Sequence, residues 1–285
     1  MSAPDKVEEL HGASIQHGPH NQRIYLMKLR SGNVSQIIPA LDQMAEAQGY
    51  GKIFAKVPAE VRVRFEQHGY CQEALVPGFF RGAGDAVFLA KYPCEERRLE
   101  RHEEQIRAIM ESVLATPATS PALWESKRSE AVAVCALSDA REMSHVYRQI
   151  FPTYPIPIDV PEYIADTMKS HTRYFCVRDA GKIVALASSE TDMEDLNVEM
   201  TDFATLPDHR RQGLACQLLA AMERSMTVRG IRTAYTIARA LSPGINRTFR
   251  KMGYSYAGKL ANNTNISGQI ESMNVWYKKL GESDV

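Results

Sequence analysis

Several things are missing from this chain of 285 residues, and each absence removes a class of function. Lysine plus arginine number 34, as do aspartate plus glutamate, so the formal net charge is zero. Without an excess of positive charge there is no footprint for a nucleic-acid backbone and no polybasic face for a membrane. No apolar run approaches the length a helix needs to cross a bilayer. The first 22 residues are polar and mixed in charge, unlike a signal peptide, and read as a flexible tail. His11, His17 and His20 stand in that tail and are not expected to bind metal. The five cysteines (Cys71, Cys94, Cys135, Cys176, Cys216) are scattered and never form a CxxC pair. Reduced thiols, a cytoplasmic location and no zinc site are the expectation. The hydrophobic fraction of 44% is that of an ordinary globular protein, and the length suits two domains.

What is present is concentrated in Arg210-Arg211-Gln212-Gly213-Leu214-Ala215. The segment falls between a strand expected over Asn197 to Leu206 and a helix expected over Leu214 to Arg229. A turn that opens a helix presents unpaired backbone N–H groups at the positive end of the helix dipole. Gly213 lets main chain approach a ligand closely, small Ala215 keeps the next turn clear, and Arg210 and Arg211 add charge. The chemistry is that of a pyrophosphate cradle. Cys216, beside it, reads as a packed thiol.

From about Glu130 the predicted elements alternate in a defined order. A short strand at Ala131 to Leu137 leads into a helix through Ile150, with Ser138-Asp139 and Glu142 placed for a capping box. The proline-punctuated stretch Phe151 to Pro161 precedes a second helix, Glu162 to Lys169. Strands Arg173 to Arg178 and Lys182 to Ser188 are joined by the tight turn Asp179-Ala180-Gly181. After the strand, loop and helix around Gly213 come a strand (Ile231 to Ala238), a helix (Pro243 to Met252, capped by Gly253) and two strands, Tyr254 to Leu260 and Gln269 to Lys278.

The hexamer fits the pattern Arg/Gln-x-x-Gly-x-Gly/Ala and resembles the acetyl-CoA loop of the Gcn5-related N-acetyltransferase (GNAT) superfamily; the order β-α-α-β-β-β-α-β-α-β-β is similar to its fold. The resemblance implies an α/β (α+β) acyl-CoA N-acyltransferase fold with a mixed central sheet flanked by helices. It covers about Glu130 to Leu280. The expected division is a tail (1–22), a small α/β domain (23–93), a connecting helix and linker (94–121, solvated and ending in Thr116 to Pro121) and the acetyltransferase domain (122–285). In the small domain, Phe65 to Tyr70 (FEQHGY) parallels Phe249 to Tyr254 (FRKMGY), so it resembles the last half of such a unit. It lacks the loop, since Arg30-Ser31-Gly32-Asn33 is too short. It would pack against the catalytic domain or a second subunit, which leaves a homodimer open; an unrelated α/β domain is the alternative.

Amine acetylation by a thioester needs a held acetyl-CoA, an uncharged amine, a stabilised oxyanion and a proton for the leaving thiolate. The resemblance implies that acetyl-CoA is the co-substrate and that no metal takes part. It implies a cofactor-binding set of Ala204, Thr205 and Leu206, whose free amides would pair with pantetheine, with Arg210, Arg211, Gln212, Gly213, Leu214 and Ala215 on the pyrophosphate. Asn246 is a further candidate for pantetheine. Glu199 matches a catalytic base and Asp202 an acidic amine-binding position; strand alternation puts them on opposite faces unless a bulge intervenes. Phe249 stands where many members carry the tyrosine that serves as general acid. Either Tyr254 or Tyr256 replaces it, or CoA leaves as the thiolate.

Substrate contacts are expected from Tyr154, Asp202, Asn262 and Asn263, the last two in a polar loop, Asn262-Asn263-Thr264-Asn265. The acidic run Glu190, Asp192, Glu194 and Asp195 would attract a cation if it lies near the cleft. Ala240 to Tyr254 together with Leu260 to Asn265, behind an N-terminal extension of this size, is most similar to the bacterial and archaeal beta-lysine N-acetyltransferases. That likeness implies acetylation of the side-chain amine of beta-lysine to give N-epsilon-acetyl-beta-lysine, a compatible solute. Another small amine (a polyamine, amino acid or antibiotic) or an inactive CoA-binding sensor are the alternatives.

Overall fold

The run Asn197-Val198-Glu199-Met200-Thr201 alternates in the manner of a strand with two different faces. Val198 and Met200 are fully buried in a helix-covered core, so Glu199 and Thr201 turn the other way, into a cavity. The computed structural model describes residues 5–29, 34–119 and 132–281. Its strands are β1 (Lys6–Leu10), β2 (Ala13–Gly18), β3 (Arg23–Leu29), β4 (Lys52–Pro58), β5 (Cys71–Phe80), β6 (Gly84–Lys91) and β7 (Val132–Val134). They continue with β8 (Thr172–Asp179), β9 (Lys182–Asp192), β10 (Asn197–Thr205), β11 (Thr233–Arg239), β12 (Ser255–Ile266) and β13 (Gln269–Lys279). The α-helices are α1 (Val34–Gln48), α2 (Arg62–Glu66), α3 (Glu103–Leu114), α4 (Ala140–Ile150), α5 (Pro161–Met168), α6 (Leu214–Val228) and α7 (Pro243–Lys251).

All thirteen strands join one sheet in the order β1-β2-β3-β4-β6-β5-β12-β13-β11-β10-β9-β8-β7. Two neighbouring pairs, β3–β4 and β10–β11, are parallel, and each is linked by a helix, α1 or α6. The series β1-β2-β3-β4-β6-β5 repeats β8-β9-β10-β11-β13-β12 strand for strand, in pairing sense as well as in order. The N-terminal repeat therefore extends two strands beyond the half unit expected. From β7 onward the elements follow the expected order throughout.

The two repeats meet edge to edge where Gly258 of β12 faces Ala74 of β5. Gly258 has φ 149°, and a Cβ there would lie 2.0 Å from the Glu73 carbonyl oxygen, so only glycine permits this approach. Glu73 fastens the seam: its carboxylate accepts from Lys52 Nζ at 2.8 Å, from the Ala261 N–H at 2.9 Å and from the Tyr92 hydroxyl. A shared aromatic core backs this junction, with Phe79 and Phe88 of one repeat packed on Tyr235 of the other at 5.0 and 6.3 Å between ring centres.

Several expectations need correction. Residues 6–18 are not a tail but the hairpin β1–β2, turned at His11 (φ 48°) and Gly12 (φ 75°). Ala13 and Ile15 of it enter the apolar core and Leu10 packs against it, few apolar contacts for thirteen residues, and that is why it reads as solvated sequence. The charged stretch after Cys94 is not one solvated helix: a 3-10 turn at Glu95–Arg98 precedes α3. Arg97 reaches inward to donate to the Asn262 and Asn21 carbonyls, both at 2.8 Å. Ile106, Met110 and Val113 of α3 enter the core beneath α6 and α7. The capping box is absent, because Glu142 instead accepts from the Ile183 N–H at 2.7 Å and from Arg178 at 2.9 Å. Asn262 to Asn265 belong to β12 rather than to a loop. Residues 30–33 and 120–131 lie outside the described residues.

Candidate active site

The arginine–glycine segment follows a 3-10 turn (Pro207–His209) and ends at Gly213, whose φ of 78° makes it the N-cap of α6. The Gly213 carbonyl already accepts from Cys216 and Gln217 N–H at 3.0 and 3.1 Å. Among the described residues, the amides of Arg211, Gln212, Gly213, Leu214 and Ala215 find no acceptor in the chain. Five successive donors at the positive end of a helix make an anion site. They open on a cavity of about 1840 Å³ lined by Arg210, Arg211, Gly213, Leu214 and Ala215, while the Gln212 side chain stays outside it. Arg247 and Lys251, one turn apart on α7, add two cations that the sequence reading missed; their i, i+4 spacing beside the loop was the available signal.

The cavity runs on into a gap between β10 and β11. These strands pair only from Asn197 to Glu199 and then part. On the other side of β10 a bulge between Thr201 and Ala204 shifts its register against β9, with Asp202 at φ 55°. The Leu206 N–H donates to the Val184 carbonyl at 2.9 Å, and Ala204, two residues back and in register with Leu186, faces β9 in the same way. Alternation leaves the amides of Phe203 and Thr205 on the open side, and those two residues line the cavity whereas Ala204 and Leu206 do not. Of the three strand positions expected to meet pantetheine, only Thr205 faces the cavity, joined by Phe203.

The bulge also decides the carboxylates. Glu199 and Asp202 both line the cavity, because the extra residue returns the second to the face of the first. Glu190, opposite Glu199 on β9, joins them. Burial raises the pKa of all three, and the negative charges of Asp202 and Glu199 raise Glu190 further. Lys56 and the Tyr235 hydroxyl pull Glu199 partly back. Asp202, 4% exposed, accepts from Tyr154 Oη and Ser188 Oγ, each at 2.6 Å. Tyr154 is thereby fixed on the cavity wall. The rest of the acidic run is neutralised at the rim, where Lys28 Nζ lies 2.8, 2.9 and 3.6 Å from Asp192, Glu194 and Asp195.

Four further expected candidates are elsewhere. Asn246 is fully buried and fully used: its Nδ2 donates to the Arg239 and Ser242 carbonyls, and its Oδ1 accepts from Asn274 and Trp276. Tyr254 packs with Phe249 in the core on the helix-covered face, away from the cavity. Asn262 donates to the Arg97 and Leu99 carbonyls at 2.9 Å and lies off the lining, while neighbouring Asn263 is on it. Tyr256 rests on Trp276, also off the lining. Cys216 lines the cavity, but burial raises its thiol pKa, which suits a packed group rather than a nucleophile.

The description "Acetyltransferase (GNAT) family" fits residues 140–254, which run from α4 through the cradle to just beyond α7. A "Beta-lysine N(6)-acetyltransferase" of Methanococcus maripaludis is 38% identical over 274 residues, spanning 96% of this chain and 98% of that protein. Its namesake in Methanosarcina mazei is 31% identical over 87% of this chain and 98% of that protein. The N-acetyltransferase YodP of Bacillus subtilis is 29% identical over 94% and 96%. Likeness along nearly the whole of both chains, with the cradle and splayed strands in place, shows that this chain belongs to the acetyltransferase (GNAT) family and is an N-acetyltransferase.

Proposed function

We propose that the protein transfers the acetyl group of acetyl-CoA directly to the side-chain amine of beta-lysine, giving N-epsilon-acetyl-beta-lysine. The observation that carries this reading is the convergence of the free amides before α6 with Glu199 and Asp202 in a single cavity. The relatives that bear this activity in their names supply the substrate.

The residues divide the work by position. The amides of Arg211 to Ala215, with Arg210, Arg247 and Lys251, would hold the pyrophosphate. The open-edge amides of Phe203 and Thr205 would pair with pantetheine and face the acetyl oxygen as charge builds on it. Glu199 would take a proton from the substrate ammonium, a task its raised pKa suits near neutral pH. Asp202, held by Tyr154 and Ser188, would fix the amine. The carbon–nitrogen bond then forms, the carbon–sulfur bond breaks and CoA departs as the thiolate, while the second proton shed by the nitrogen on becoming an amide passes to water or to the departing sulfur. Tyr254 in the core and Tyr256 off the lining are both out of reach of the sulfur, which favours departure without a proton from either. A thiol titrating near pH 8.5 is an adequate leaving group unaided. Acetylation removes one of two ammonium charges and leaves a neutral zwitterion, the charge state suited to a compatible solute in the cytoplasm.

The test is a panel of beta-lysine, alpha-lysine and spermidine with acetyl-CoA, followed by mass spectrometry of the product. Preferred acetylation of beta-lysine at its terminal amine is expected. Preference for spermidine, or acetylation at the beta-amine, would overturn the assignment.

A further inference from the structure

An enzyme that acetylates an amino acid must hold a carboxylate as well as an amine, and the carboxylates of Glu199 and Asp202 on this wall repel one. The counter-charge comes from the other repeat. On β3 residues Arg23, Tyr25 and Met27 line the cavity, and on β4 Phe54, Lys56 and Pro58 do, each set at the two-residue spacing of a single strand face. The parallel ladders put the two repeats in correspondence. Arg23 pairs with Lys52 and Tyr25 with Phe54, as Asn197 pairs with Thr233 and Glu199 with Tyr235. Tyr25 thus occupies the place of Glu199, Arg23 that of Asn197, and Lys56 that of Ile237. The same face that is acidic in the C-terminal repeat is basic in the N-terminal one.

We propose that Lys56 and Arg23 form the receptor for the substrate's carboxylate, so that the N-terminal repeat completes the active site and selects amino acids over plain diamines. The inference rests on the proposed acetylation of beta-lysine. Lys28, Lys52, Arg239 and Lys278 each lie on a carboxylate. Among the described residues, Lys56 and Arg23 have no such partner. Lys56 Nζ donates to Tyr235 Oη at 3.2 Å and lies over the rings of Tyr25, Phe79 and Tyr235 at 6.0, 5.3 and 5.3 Å. Aromatic faces position an ammonium and leave N–H groups to donate elsewhere. Arg23, 5% exposed, donates to the Asn263 carbonyl and, at 3.3 Å, to Thr264 Oγ1, with its guanidinium over Tyr25 and Phe54. Its Nε–H is buried without a partner. A buried cation hydrogen-bonded to neutral groups, with carboxylates no nearer than a long-range influence and a donor unused, is stabilised by an anion brought by the ligand.

The experiment compares beta-lysine with its decarboxylated diamine as acetyl acceptors for wild type, Lys56→Met and Lys56→Arg. Lys56→Met should raise KM for beta-lysine by roughly tenfold or more beyond whatever change the diamine shows through Glu199, and so abolish the preference. Lys56→Arg, which keeps the charge, should retain most of it. An equal loss for both acceptors would overturn the proposal, because Lys56 would then act through Glu199 and Tyr235. An unchanged preference in Lys56→Met would overturn it too. Failure of the wild-type enzyme to acetylate beta-lysine would instead strike at the function proposed above.

Discussion

Glu199 and Glu190 stand opposite each other across the β10–β9 ladder, two carboxylates in register on one cavity wall. Burial, then the charges of Asp202 and Glu199, hold Glu190 protonated well above the usual carboxylate range. A group whose folded pKa is raised contributes its stability fully below the unfolded pKa and loses it as pH rises through the folded value. Glu190→Gln should therefore melt at the same temperature as wild type near about pH 5 and a few degrees higher near about pH 9. Melting curves of the two proteins across pH check this; a gap that widens toward acid would contradict the assigned charge state.

Glu199→Gln should lower kcat/KM by about a hundredfold near neutral pH, where the substrate amine is almost wholly protonated. The deficit should shrink above about pH 9, as more of the amine is free without help. A pH–rate profile decides, and a loss that is flat across pH would assign Glu199 a structural role.

Gly213→Glu places bulk and negative charge at the convergence of five unsatisfied amides. The φ of 78° adds backbone strain of about 1–2 kcal/mol for any side chain. Acetyl-CoA affinity should fall more than about a hundredfold by titration calorimetry, with the far-UV spectrum unchanged.

Gly258→Ala tests whether the two repeats behave as a unit. The new methyl would meet the main-chain carbonyl oxygen of Glu73 at 2.0 Å, with no flexible group to give way. A destabilisation of about 2–4 kcal/mol is expected in thermal or urea unfolding. Beta-lysine KM should rise alongside, because Lys56 and Arg23 reach the cavity across this seam. Unaltered stability would show that the strands can part there without cost.

The acetyltransferase repeat was legible wherever the information is local. The segment Arg210 to Ala215 carries its turn, its glycine and the start of its helix within six residues, and the amide row it implies is found. The site residues that were misplaced share a different cause. Asn246, Tyr254 and Leu206 are candidates through their places beside the family's motif, yet each has its polar group or its face turned away from the cavity, toward Trp276, the α6–α7 core and Val184. Lys56 and Arg23 carry no local signal, since a lysine and an arginine on separate strands look like ordinary surface charge until the sheet is continuous.

The sequence by itself determined the order of elements from Val132 onward, the anion cradle before α6 and the presence of carboxylates on β10, because hydrophobic period and turn chemistry act over a few residues. Only the tertiary structure decided that one bulge turns Glu199 and Asp202 the same way, that polar residues 6–18 complete a second sheet unit, and that the basic face of that unit meets the acidic face of the first. Strand register and sheet edges are set by pairing between segments far apart in the chain, and residue order alone does not encode which face then looks inward.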